Sequence, residues 1–432
     1  MKRKIRVAGM LALVAGTALL ATGCSGSGGD NASSTGKVSM TFWHNSTTGP
    51  GKVFWEKTVA DFEKAHPGVT ITIQSIQNED LDGKLQTALN SGSAPDIFLQ
   101  RGGGKMAAMA DAGQLMDISG SIDAATKTAV SNGAFKGESY NGKVYAMPVD
   151  VLPEGIYYSK QLFTAAGISA PPTTMSELND DITKLKATGV APVAVGAKDA
   201  WPAAHWYYNF ALRECSESTL EKSAKSLKFD DSCWTKAGDD LAAFNKTQPF
   251  NDGFLTTSAQ QGAGSSAGLV ANHKAAMELM GAWDPGVIAS LTPDQKPLSD
   301  LGWFPFPKLS SGKGDPDSMM GGIDGYSCSA KAPKKECTEF LNYITTKSVQ
   351  EAYYTAFNAI PANKDAQSVI TEPYLKSVLA AYNKAPFVSQ YLDTLLGQNV
   401  GNAMNTGVVD LLAGKSDSAG IIKAVNEAAA KG

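Results

Sequence analysis

Histidine and cysteine are scarce: four and five residues among 432. No C-x-x-C pair and no H-E-x-x-H run occurs, and the histidines do not join the later cysteines at zinc-ligand spacing. Zinc chemistry therefore lacks its ligand set, and neither a metal nor a cofactor is expected. A nucleotide-phosphate loop is missing as well. The stretch RGGGKM (101–106) has Leu99 where the first glycine of such a loop belongs and Met106 in place of Ser or Thr. Basic charge is not in excess, because 38 Lys and Arg face 42 Asp and Glu. That balance argues against nucleic acid as a partner. After the first residues no apolar run is long enough to span a bilayer. Internal repeats are absent, and low-complexity sequence is confined to one short stretch near the start.

What is present begins at the amino terminus. Lys2, Arg3, Lys4 and Arg6 precede an apolar run from Val7 to Ala21, closed by Thr22 and Gly23 ahead of Cys24. A basic head, a short apolar middle and small residues at the end make an export signal, expected over 1–23. Ala-Thr-Gly-Cys resembles a bacterial lipobox, with Ala21 standing where leucine is usual. The resemblance implies cleavage before Cys24, lipidation of its thiol and attachment to the outer face of the cell membrane. Residues 24–36, rich in Ser and Gly, read as anchor and flexible tether. Cleavage would remove four positive charges and no negative one, leaving a body more acidic than the formal −4 of the whole chain. The remaining cysteines are Cys215, Cys233, Cys328 and Cys337. An even number in an exported chain favours disulfides. Three pairings are possible; Cys215–Cys233 with Cys328–Cys337 closes the shortest loops and is the expected one.

The body alternates strand and helix patterns, and its length suggests two lobes. In KVSMTFWHN (37–45), Val38, Met40 and Phe42 share one face of a strand. Trp55, Val59 and Phe62 then recur at helical spacing until His66-Pro67-Gly68, and VTITIQSI (69–76) alternates again. APDIFLQ (94–100), APVAVG (191–196) and KAAMELMGAW (274–283) are further strand candidates, and GKVYAMPVDVLPEGIYYSKQLF (142–163) holds two extended pieces around prolines. Thr174 with Glu177 forms a capping box ahead of a helix that Gly189 stops. Residues 335–346 and 399–415 read as helices. The class is α/β.

Aromatic residues gather beside strand ends and turns. Trp43-His44-Asn45 closes the first strand, Trp201-Pro202 precedes HWYYNF (205–210), Trp283 follows KAAMELMGA, and Tyr391 and Asp393 lie in VSQYLDTLLGQN. Flat rings cover the C–H face of a sugar while neighbouring polar groups bond its hydroxyls. Trp283 and Trp201 are the first candidates for stacking, followed by Trp206; Trp55, Trp234 and Trp303 read as packing residues. Carboxylate pairs such as Asp180-Asp181, Asp230-Asp231 and Asp239-Asp240 sit in polar contexts and read as solvated surface. A lipid-anchored glycoside hydrolase is the competing reading, since aromatic, acidic clefts serve hydrolysis too.

The order and spacing of several segments carry a resemblance covering nearly all of the body: TFWHN with FWEKTVADFEKAHPGVTI; SGSAPDIFLQRGG with MADAGQLMDIS; YNGKVYAMPVD with GIYYSKQLF; KAAMELMGAWDPG; and GGIDGYSCSAKAPKKECTEFLNYITTKSVQEAYYTAFNAIPAN. The chain resembles family 1 extracellular solute-binding proteins, the sugar-binding lipoproteins of bacterial ABC importers, and is similar to maltose-binding protein. WFPFP, GGIDGYSCSA and GQNVGNAMN look most like actinobacterial members taking up xylobiose- or cellobiose-like sugars, with a maltose-type sugar as the alternative. The resemblance implies a two-lobed periplasmic-binding-protein type II fold with a multi-crossing hinge and a ligand cleft between lobes. Lobe one would span 37–149 plus 322–360, lobe two 150–321 plus 361–432. It implies an oligosaccharide ligand, delivery to ABC permease subunits, a monomer and no enzymatic turnover. The binding residues it implies are His44, Asn45, Gln100, Arg101, Asp150, Trp201, His205, Trp283, Asp324, Tyr391 and Asp393.

Overall fold

The computed structural model describes residues 36–431; the signal segment 1–23, Cys24 and the tether up to residue 35 lie outside them. Strands and helices alternate, and the strands collect into two large sheets and a small ribbon, Ser139–Tyr140 with Lys143–Val144.

The first sheet has the order Val69–Ser75, Val38–His44, Ile97–Gln100, Gly325–Cys328, Met147–Pro148. Its first three strands are parallel. Met40 and Phe42 point into the core while Ser39 and Thr41 point away, the alternation of a half-buried strand. The helix Gly49–Ala65 crosses over with Phe54, Trp55, Val59 and Phe62 buried against it. His66 ends that helix, its backbone N–H bonding Phe62 O at 2.9 Å, and Pro67 follows. The strand Gly325–Cys328 enters antiparallel to Ile97–Gln100 from far along the chain.

The second sheet is built around Asp150–Ser159, whose ten residues are all buried. Ala275–Gly281 and Met319–Gly322 flank it, with Ala191–Ala194 and Val388–Gln390 at the edges; Leu301–Phe304 and Ile360–Pro361 also pair with the central strand. The prolines of 142–163 split the segment as expected, but between sheets: Pro148 ends a strand of the first and Asp150 opens the centre of the second. The chain passes between sheets at Val149, again at Ile323–Asp324, and once more after Ala359. Val149 N–H donates to Asp324 O at 2.8 Å, which ties two passages together.

Each sheet has apolar packing of its own, Phe42, Trp55 and Phe340 on the first and Trp206, Phe210 and Phe244 on the second. The seam is less clean than the chain order suggests, since Val130 and Ala134 pack with Leu152 and Ile360 of the second sheet. Cys215–Cys233 and Cys328–Cys337 are the two disulfides, the short-loop pairing, one beside each sheet. Among the described residues no helix is long and apolar enough to cross a membrane.

Candidate functional site

Four rings meet at one end of the second sheet. Trp201 opens the helix Trp201–Glu214, where Pro202 is already pre-set for a helical first turn. His205 lies one turn further on. Trp283 stands past the end of Ala275–Gly281, not in the strand, and Pro285 helps start the helix Asp284–Leu291 just after it. Tyr391 follows the edge strand Val388–Gln390. The His205 and Tyr391 rings stack at 4.6 Å and 10°, Trp201 lies 6.1 Å from Trp283, and Trp283 meets Tyr391 edge-on at 5.7 Å. Gly281 makes room for this, because a Cβ there would fall 2.0 Å from the Trp283 ring and 2.5 Å from the Tyr391 hydroxyl. Tyr391 is held by its own hydroxyl, which donates to Leu152 O at 3.0 Å. Trp201 and Trp283 both stay partly exposed, so apolar ring surface remains for a ligand to cover.

Charge gathers on the side of the first sheet. Arg101 donates to Asp82 at 3.0 Å and to Asn78 at 2.6 Å, and its Nε lies 3.6 Å from Asp324. Lys105 pairs with Asp82 at 2.7 Å. Burial acts to raise Asp82, but Arg101 and Lys105 outweigh it and hold the carboxyl below its ordinary value. Asn45 joins through Asn78 at 3.3 Å. A small cavity of about 50 Å³ is lined by Asp82, Gln100, Arg101, Lys105, Met109 and, from the other side, Gln398.

The remaining sequence candidates are structural in this conformation. His44 is fully buried, faces Trp55 at 5.8 Å and accepts from Ser46 N–H; burial lowers its pKa to about 4. Gln100 is buried and accepts from Arg101 N–H at 2.9 Å. Asp150 accepts from Tyr353 Oη at 2.5 Å and from Asp324 N–H at 3.0 Å, locking two passages between sheets. Asp393 accepts from Asn405 at 3.2 Å. Glu138 is buried beside this group with neither carboxyl oxygen bonded among the described residues. Burial, then Asp324 and Asp150, push it well up; burial and Asp324 do the same to Asp150.

Several residues of the site lay outside the sequence reading: Asn78, Asp82, Lys105, Glu154 and the glycines of RGGGK. Gly102 has φ +66, and a Cβ there would sit 2.1 Å from Gly137 O; one on Gly103 would sit 2.7 Å from Thr394 O. A triple glycine after a strand signals such an approach. Gln390, from the second sheet, completes the contact by donating to Arg101 O at 2.5 Å. A G-x-S-x-G spacing does occur at Gly264–Gly268, but Ser266 is fully buried and its hydroxyl bonds Ala259 O at 3.0 Å, so it is no nucleophile. Among the described residues no group of His, Cys, Asp and Glu could hold a metal ion.

Residues 44–351 match the family model described as bacterial extracellular solute-binding protein. The chain belongs to this family. It is 26% identical to an uncharacterized ABC transporter extracellular-binding protein of Pyrococcus horikoshii, over 88% of this chain and 85% of that protein. It is 26% identical to the multiple sugar-binding protein of Streptococcus mutans, over 80% of each, and 25% identical to the diacetylchitobiose-binding protein of Streptomyces coelicolor, over 89% and 87%. A solved structure from work on xylan utilization by Caldanaerobius polysaccharolyticus superposes with a TM-score of 0.83 at 26% identity, covering 90% of this chain and 99% of that one. The architecture is thus the two-lobed α/β fold of periplasmic solute-binding proteins, and the chain is a binding protein, not an enzyme.

Proposed function

We propose that this protein captures a short oligosaccharide between its two lobes and hands it, unaltered, to the membrane permease of an ABC importer. The observation that carries the reading is the ring cluster in which Trp201 and Trp283 stay partly exposed against the buried Tyr391, together with the charged group around Arg101 at the other sheet. Rings take up the C–H face of a pyranose, and the Arg101, Asp82 and Asn78 group bonds hydroxyls. The lobes are 37–149 plus 322–360 and 150–321 plus 361–432. Rotation about the passages near Val149, Asp324 and Ile360 closes them, and a sugar bonded by both lobes favours the closed state in proportion to that extra binding. A xylobiose- or cellobiose-like ligand is favoured: the similar protein from Streptomyces coelicolor is named for diacetylchitobiose and the superposable structure comes from xylan utilization. Cys24 carries the lipid that holds the monomer at the outer membrane face.

Calorimetry over xylo-, cello-, chito- and malto-oligosaccharides tests this. The expected outcome is micromolar or tighter binding of a β-linked disaccharide or trisaccharide, with the sugar recovered unchanged. No heat from any of them would sink the reading.

A further inference from the structure

Glu154 lies in the middle of the central strand, opposite Gly281, and is only 2% exposed. Its two carboxyl oxygens are both used: one faces Nδ1 of His205, the other accepts from Asn209 Nδ2 at 2.6 Å. Asn209 Nδ2 also donates to the carbonyl oxygen of His205 at 3.0 Å. A carbonyl can only accept, so the amide nitrogen of Asn209 is fixed as the group facing Glu154. His205 stacks on Tyr391 at 4.6 Å, with Trp201 tilted against it at 5.1 Å and Trp283 edge-on at 6.3 Å. The ring is 3% exposed, and its one hydrogen bond among the described residues is at Nδ1, to Glu154. An imidazole thus stands inside the ring cluster with one nitrogen committed and the other free.

We propose that Glu154 is a positioning residue for ligand recognition: it holds the single ring proton of His205 on Nδ1, so that Nε2 offers a lone pair to a ligand hydroxyl. The ligand half of this rests on the oligosaccharide reading above. With one oxygen of Glu154 accepting from Asn209 and the other facing Nδ1, a neutral imidazole keeps its one hydrogen on Nδ1 and leaves Nε2 as the acceptor. The lock selects ligands that present a donor hydroxyl between the rings.

The amide variant inverts this arrangement without changing its shape. In Glu154→Gln, the Asn209 donor claims the amide oxygen. The amide NH₂ then faces His205 Nδ1, which must become an acceptor, and the proton moves to Nε2. The experiment pairs ¹⁵N–¹H spectra of the imidazole in ligand-free wild type and Glu154→Gln, near neutral pH, with calorimetry on xylobiose, cellobiose and diacetylchitobiose. Expected are an Nδ1–H ring in wild type, an Nε2–H ring in the variant, and a Kd at least about tenfold weaker, the size of one lost hydrogen bond. A wild-type ring protonated on Nε2, or on both nitrogens, overturns the proposal, as does a tautomer unchanged by the substitution. A tautomer that switches while Kd stays put also overturns it, because the role would then be structural. If wild type binds none of the sugars, the oligosaccharide reading fails and takes the ligand half with it, while the spectra still decide the proton's place.

Discussion

The two faces of the candidate site use opposite chemistry. On the second sheet, Trp201 and Trp283 offer ring surface, backed by the buried rings of His205 and Tyr391 and fixed by packing on one another and by hydrogen bonds of His205 and Tyr391. On the first, Asn78, Asp82, Arg101 and Lys105 offer charge, fixed by a web of mutual ion pairs. Ring stacking gains free energy from surface removed from water and tolerates many sugars. Charged groups already satisfied by one another gain little from a hydroxyl beyond selecting its position. Affinity should therefore reside on the second sheet and discrimination on the first.

Breaking the ring face should have the largest effect. Trp283→Ala is expected to weaken sugar binding by at least about 100-fold, roughly 2.7 kcal/mol, with a melting temperature near that of wild type because the ring is partly exposed. A lower melting temperature with unchanged Kd, by calorimetry and thermal unfolding, would mean that this tryptophan belongs to the core. Breaking the charged face should do less to affinity and more to stability. Arg101→Met strips the cation from Asp82 and Asp324, and about 1–3 kcal/mol of stability should go with it in urea unfolding. Affinity should fall about tenfold while the ranking of sugars changes; equal loss for every sugar would remove the assignment of selectivity to this side.

The same contrast governed what could be read from the chain. Ring residues announce themselves next to prolines and strand ends, so Trp201, His205, Trp283 and Tyr391 were legible, and the structure brings them together. The strand–helix–strand opening was legible too, because Met40, Phe42, Trp55 and Phe62 repeat at the periods of the elements they build. Polar candidates were harder. His44 and Gln100 sit at strand ends as expected, yet alternation turns His44 inward, and Gln100 ends a strand buried along its whole length. Asn78 and Asp82 occupy successive turns of a helix whose composition resembles solvated surface, and only the fold carries Arg101 to them. Glu154 left one sign, an acid in the middle of a largely apolar strand whose other acid, Asp150, stands at its start.

Buried acids repeat the comparison in another place. At the passages between sheets, Glu138, Asp150 and Asp324 have Arg101 beside them. Behind Trp283, Glu278 and Asp284 are buried with all four carboxyl oxygens unbonded among the described residues, and Tyr157 Oη close by is also unbonded. Burial raises Asp284 to about 8, and burial followed by Asp284 raises Glu278 well above its ordinary value. The folded protein therefore holds a proton on Asp284 at pH values where the unfolded chain, titrating near 4, has released it. Where the native state binds more protons, stability falls as pH rises, so this contribution is present in full below about pH 4 and drains away up to about pH 8. Asp284→Asn keeps the shape and removes the titration. Its melting temperature, followed from about pH 5 to 9, should decline less steeply than that of wild type, with a gain on the order of 1–2 kcal/mol at the alkaline end. Parallel curves for the two proteins would show that Asp284 is already ionised in the native state, with an unseen cation or water supplying what Arg101 supplies at the passages.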